Sequence, residues 1–89
     1  MTTLEIEGAV VYIIQSGRNG RFYIGCSESM ALRLEAHNRG EVKATRSLRP
    51  WMLVYTEACG DMTRARQREW QLKRQKSRKL IEALVSSGG

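Results

Sequence analysis

The stretch Val10-Val11-Tyr12-Ile13-Ile14-Gln15-Ser16-Gly17-Arg18-Asn19-Gly20-Arg21-Phe22-Tyr23-Ile24-Gly25 decides the fold. It reads as two short apolar runs, at 10–15 and 21–25, joined by a tight connection whose Asn19-Gly20 pair tolerates positive φ, the signature of a β-hairpin. Each run carries one tyrosine. Side-chain direction alternates with period two, so any antiparallel register whose partner numbers sum to an odd value puts both phenols on one face. Tyr12 opposite Tyr23 is one such register. Val10, Val11, Ile13 and Ile14 leave neither face of the first run polar, which predicts a middle strand covered on both sides.

Working outward, residues 1–8 are polar and expected to fray, with Gly8 punctuating the entry to the first strand. After Gly25, Ser27 and Ser29 are both candidate N-caps for a helix read through Met30, Leu32, Leu34 and Ala36 to Asn38, and Gly40 is a natural stop. Arg33 and His37 are four apart and share a face of that helix. Residues 41–49 form a basic loop without apolar periodicity. Pro50 opens a third strand, expected at 51–56, because proline cannot donate from the middle of a sheet. A second helix opens at Asp61 or Thr63 and runs to about Arg74. Projected at about 100° per residue, its Ala65, Glu69 and Leu72 share a narrow arc with Met62 at the edge, so Glu69 lies on the apolar side. Ser77 caps a last helix whose Leu80, Ile81, Leu84 and Val85 form a buried stripe, and residues 86–89 are a tail. Trp51, Tyr55 and Trp70 are expected in the core. The order β-β-α-β-α-α predicts an α+β fold, a small three-stranded antiparallel sheet flanked by helices.

At 89 residues the chain is expected to be one domain, 1–89 with its core at about 8–85, and to act as a monomer. Lys and Arg number 15 against 9 acidic residues, a formal charge of +6 that favours polyanionic partners through counterion release. The sequence has no long apolar run and no basic-then-apolar leader, so a cytoplasmic protein without a membrane span is expected. Cys26 and Cys59 are too few for a disulfide framework and lack metal-ligand spacing; free thiols are expected.

Val10-Val11-Tyr12, Tyr23-Ile24-Gly25, the run Leu32-Arg33-Leu34-Glu35-Ala36-His37, Thr45-Arg46 with Arg49-Pro50-Trp51, and Glu69 on a late helix occur here in one order and nearly end to end. In that order they resemble the GIY-YIG nuclease superfamily, with a likeness to stand-alone bacterial GIY-YIG proteins and to the amino-terminal nuclease domain of the DNA-repair excinuclease. The resemblance implies hydrolysis of DNA phosphodiester bonds by an endonuclease with one divalent metal ion, Mg²⁺ or Mn²⁺. Structure-specific cutting in DNA repair or recombination is the biological use it suggests. It implies a catalytic set of Tyr12, Tyr23, Arg33, His37 and Glu69, with Glu69 as the metal ligand. The first motif reads Val-Val-Tyr in place of Gly-Ile-Tyr, and Cys26 stands where the excinuclease domain has a lysine.

The residue types suit the chemistry. Hydrolysis needs an activated water, a cation for the charge that grows on phosphorus, and help for the departing oxygen. One carboxylate suffices for Mg²⁺, which keeps most of its waters. Arg33 offers a planar fork to a phosphate oxygen. A tyrosine becomes a usable base where positive charge favours its phenolate; Tyr12 is favoured for that role and Tyr23 for orienting water or phosphate. His37 is a proton relay or donor. Lys43, Arg46, Arg49 and Lys73 are expected to meet nucleic-acid phosphates, and a targeting protein is a plausible further partner in so short a chain. Against each stands a plainer role: tyrosines as strand packing, His37 as a surface residue, Glu69 as an exposed pair with Lys73. The alternative for the whole chain is a catalytically inactive nucleic-acid-binding module of the same fold.

Overall fold

A computed structural model describes residues 8–87; the expected fraying at 1–7 and the last two residues of the tail lie outside them. The elements follow the expected order: β1 (Ala9–Ser16), β2 (Phe22–Ser27), α1 (Met30–Arg39), a 3-10 turn (Arg46–Leu48), β3 (Trp51–Gly60), α2 (Met62–Gln75) and α3 (Arg78–Ser86). β1 is the middle strand of an antiparallel sheet ordered β2-β1-β3. Its residues from Ala9 to Ile14 are at most 1% exposed, as a run apolar on both faces requires.

The hairpin register differs from the illustrative one by two residues. Tyr12 pairs with Gly25 and Ile14 with Tyr23. The partner numbers still sum to an odd value, so the tyrosines are diagonal neighbours on one face. β2 begins one residue later than expected and runs two further, which takes Ser27 into the strand and leaves Ser29 at the start of α1. Ser29 makes no side-chain capping bond. The connection is held by Ser16, whose Oγ accepts from the backbone N–H groups of Arg18 and Asn19, with Gly20 at φ 79°.

β1 also pairs with β3, which extends to Gly60, four residues past its expected end. A bulge between Ile13 and Ile14 shifts that register by one. Tyr12 lies opposite Thr56 while Ser16 lies opposite Trp51, so an even and an odd residue of β3 face the same way. Trp51 therefore joins Tyr12 and Ile14 in a core patch with Tyr23, Met30, Leu34 and Leu48 packed against it.

The opposite face, with Val11, Ile13 and Cys26, is covered by α2 and α3. Asp61 caps α2 by accepting from the Arg64 N–H at 2.8 Å, and Ser77 caps α3 by accepting from Leu80. Ala65, Leu72 and Ile81 are buried; Leu80, Leu84 and Val85 are half-buried. The expectation for Trp70 is corrected, since its indole is 59% exposed. It follows Glu69 by one residue, about 100° round the helix and off the buried arc, and Arg74 stacks on it at 4.7 Å. Among the described residues no helix is long and apolar enough to cross a membrane.

Candidate active site

Gly25 makes room for the site. A Cβ built there would lie 2.6 Å from Tyr12 Cζ, so the missing side chain of β2 is the space the phenol of β1 occupies. From that position Tyr12 Oη reaches His37 Nε2 at 2.7 Å. His37 comes from α1, where its spacing from Arg33 directs both toward the sheet, and its other nitrogen meets Thr45 Oγ1 at 2.7 Å. Tyr12, His37 and Thr45 are all at most 1% exposed. They form a buried polar chain inside an otherwise apolar layer.

The tyrosine rings flank the imidazole edge-on, with centroids 5.8 Å (Tyr12) and 5.3 Å (Tyr23) from it. Burial drives the His37 pKa down to about 4, helped by the positive Arg33, so the ring is neutral at physiological pH. Burial raises the Tyr12 pKa; the side-chain donors and charge of Arg33, beside it, oppose that rise. The hydrogen bond to Tyr12 in turn raises the Arg33 pKa, so the guanidinium stays charged beside the phenol. Tyr23 differs from Tyr12 in being only half-buried.

Glu69 approaches that edge from the other face. Its Oε1 accepts from the Cys26 thiol at 2.9 Å and its Oε2 from Lys73 Nζ at 2.5 Å, with the side chain 21% exposed. Lys73 also lies 5.7 Å from the centroid of the Tyr23 ring. Burial and the carboxylate push the Cys26 thiol up to about 11, leaving it a protonated donor. The two halves meet round β2: Tyr12, Tyr23, His37 and Arg33 on the α1 side, Glu69, Cys26 and Lys73 on the α2 side. Lys43, Arg46 and Arg49 are exposed on the loop before β3.

Three features escape sequence reasoning. Thr45, the partner of His37, sits in a loop with no periodicity to mark it as buried. Cys26 turns out to hold Glu69. The third is Asn38, which brackets the start of β3 by donating to the Trp51 carbonyl at 3.0 Å and accepting its N–H at 2.7 Å, while the Trp51 indole donates to the Thr45 carbonyl at 2.7 Å. These bonds pin the loop that carries Thr45. Among the described residues, no three His, Cys, Asp or Glu side chains cluster in a way that could hold a metal ion.

With a hairpin displaying two tyrosines, an arginine on the helix beyond it and a glutamate on the later helix, the chain belongs to the GIY-YIG catalytic domain family, a nuclease family, whose model matches residues 8–82. Two similar proteins carry family names that state no function. A UPF0213 protein of Desulfotalea psychrophila is 43% identical over 65 residues, which are 71% of this chain and 58% of that protein. The chain thus spans little more than half of that relative's length. A UPF0213 protein of Staphylococcus aureus is 38% identical over 81 residues, covering 86% of this chain and 98% of that protein. No solved structure gives a significant match.

Proposed function

We infer that the protein is an endonuclease that hydrolyses DNA phosphodiester bonds with one divalent metal ion, Mg²⁺ or Mn²⁺, and that its site is the edge of β2. The observation carrying this reading is the convergence of a buried Tyr12–His37–Thr45 chain, Arg33 and an accessible carboxylate on one strand edge. Binding nucleic acid alone does not call for a carboxylate at the same strand edge as Arg33 and that chain. The donor set fits Mg²⁺ or Mn²⁺: Glu69 is a single hard carboxylate with its side chain 21% exposed, and such ions need few protein ligands. That carboxylate already attracts one cation, the Lys73 ammonium. Glu69 would hold the ion, which when bound supplies Lewis acidity and neutralises charge on the phosphate.

Burial separates the tyrosines. Although Tyr12 is favoured as base by the sequence, its oxygen is enclosed and its pKa raised. Tyr23 reaches solvent and takes the water in this reading. Neutral His37 is too weak a base to accept a proton, so it acts as a positioning residue. The Thr45 hydroxyl donates to the Val42 carbonyl, so Nδ1–H donates to Thr45 Oγ1 and the unprotonated Nε2 accepts from the Tyr12 hydroxyl, which holds the phenol oxygen beside Arg33. Arg33 meets a non-bridging phosphate oxygen.

Glu69→Gln tests the assignment. Cleavage of nicked, branched, single-stranded and duplex DNA in Mg²⁺ or Mn²⁺ should collapse, while DNA affinity persists. The melting temperature without metal should change little, since an i,i+4 pair contributes only about 0.3–0.5 kcal/mol and the glutamine oxygen can still accept from the Cys26 thiol. A fully active variant would end the metal-site claim. The binding-module reading has one observation in its favour, that both oxygens of Glu69 are already engaged within the protein. Wild-type protein that binds every substrate and cuts none would support it.

A further inference from the structure

Beside the site lies a groove of about 400 Å³ most of whose lining has no part in the cleavage chemistry. It runs along the α2 side of β2, closed at its far wall by the turn from α2 into α3. Its floor is apolar, made by Phe22, Ile24, Leu72 and Ile81. Its rim is cationic: Arg21, Lys76 and Arg78 line it, and no acidic residue does. Arg21 and Lys76 have no carboxylate partner among the described residues, while Arg78 is paired with Glu82. The Arg78 guanidinium also lies over the Phe22 ring, 4.8 Å from its centroid, a cation on an aromatic. Tyr23 and Lys73 belong to both groove and site, so the two are continuous.

An apolar floor under an all-cationic rim selects a ligand that is anionic along one side and flat and apolar on the other. A stretch of unpaired nucleotides has that character; a duplex does not, because its bases are stacked inside and offer only phosphates. The volume lies within the range of pockets that enclose small ligands, roughly 300–1,000 Å³, enough for a base and not for a helix. Resting on the reading of the β2 edge as a DNA-cleaving site, we propose that this groove binds the unpaired strand adjoining the scissile phosphate. One base stacks at the Phe22–Arg78 pair, and Arg21 and Lys76 meet the flanking phosphates. The substrate class is therefore DNA with a single-stranded segment next to the cut, such as a flap or an overhang.

Binding is read by fluorescence anisotropy on the full-length protein in EDTA, so the result does not depend on cleavage. The probes are a labelled blunt duplex and the same duplex with a short single-stranded overhang. Wild-type protein should prefer the overhang. Phe22→Leu should weaken overhang binding on the order of tenfold, the scale of one lost base–aromatic stack, and leave the blunt duplex unchanged. Lys76→Gln with Arg78→Gln should flatten the salt dependence of overhang binding by roughly 0.7 per lost phosphate contact. The two polar substitutions are on exposed side chains and keep the test valid if Phe22→Leu lowers the melting temperature. Equal affinity for both probes, or an overhang preference that survives in all variants, would overturn the proposal. So would displacement by a glutamate-rich peptide as readily as by unlabelled overhang DNA, which would mark the groove as a site for acidic protein. An overhang preference that depends on Phe22 in a protein that cuts nothing supports the groove and removes the nuclease. Cleavage of overhang DNA unaffected by the variants does the reverse.

Discussion

His37 shows how far burial can redirect a residue's chemistry. An imidazole in water titrates near pH 6.5, but here it is enclosed beside Arg33 and falls to about 4. Between those values the unfolded chain binds a proton that the folded chain refuses, so stability falls as pH drops through that window and the loss stops growing below about 4. The loss is at most about 3 kcal/mol, from the shift between the two values. Melting temperatures at pH 7 and pH 4.5 should show that acid limb in the wild type and a shallower one in His37→Gln; equal limbs would mean the imidazole is hydrated. The tyrosines divide similarly. Tyr23→Phe should lower the cleavage rate by about 10²- to 10⁴-fold, the range of a lost proton-transfer group, at nearly constant stability. Tyr12→Phe leaves the buried imidazole short of a partner and should cost about 1–3 kcal/mol of stability with a smaller loss of rate. Parallel rate and melting measurements on the two variants check this, and the opposite ranking of rates would return the base role to Tyr12.

At the level of elements, the β1–β2 pair positions the site through what β2 lacks. Gly25 leaves the space that the phenol of the neighbouring strand fills. Gly25→Ala puts a methyl within 2.6 Å of Tyr12 Cζ and must move either the ring or the strand. Overpacking of that kind costs about 1–3 kcal/mol, and the displaced phenol loses His37. Thermal unfolding together with a cleavage assay should show both losses; an active, equally stable Gly25→Ala protein would show that the strand yields freely. The two helices reach β2 for different reasons. α1 is anchored by Asn38 and the loop bonds to Trp51, whereas α2 is anchored by its own apolar arc, with Glu69 carried at the rim of that arc.

Across the whole molecule, positive charge lies in two places: the exposed loop with Lys43, Arg46 and Arg49, packed against α1 and the β1–β2 turn, and the groove rim on the α2 side of β2. Arg46→Ala with Arg49→Ala should reduce the salt dependence of duplex binding by roughly 0.9 per lost phosphate contact. Affinities measured across a salt series check this, and an unchanged slope removes the loop from the interface. The sequence alone determined what depends on near neighbours along the chain. Apolar runs on both faces made β1 central, an odd register put Tyr12 and Tyr23 on one face, Asp61 and Ser77 marked helix starts, and angular spacing turned Glu69 inward. Only the tertiary structure decided what depends on residues brought together from afar. The bulge that turns Trp51 into the tyrosine layer has no local signature, since it reconciles the lengths of two strands. Thr45 behind His37, Cys26 against Glu69, the exposure of Trp70 and the groove beside β2 arise where separate elements pack, and helical or strand period says which way a side chain points, not what it meets there.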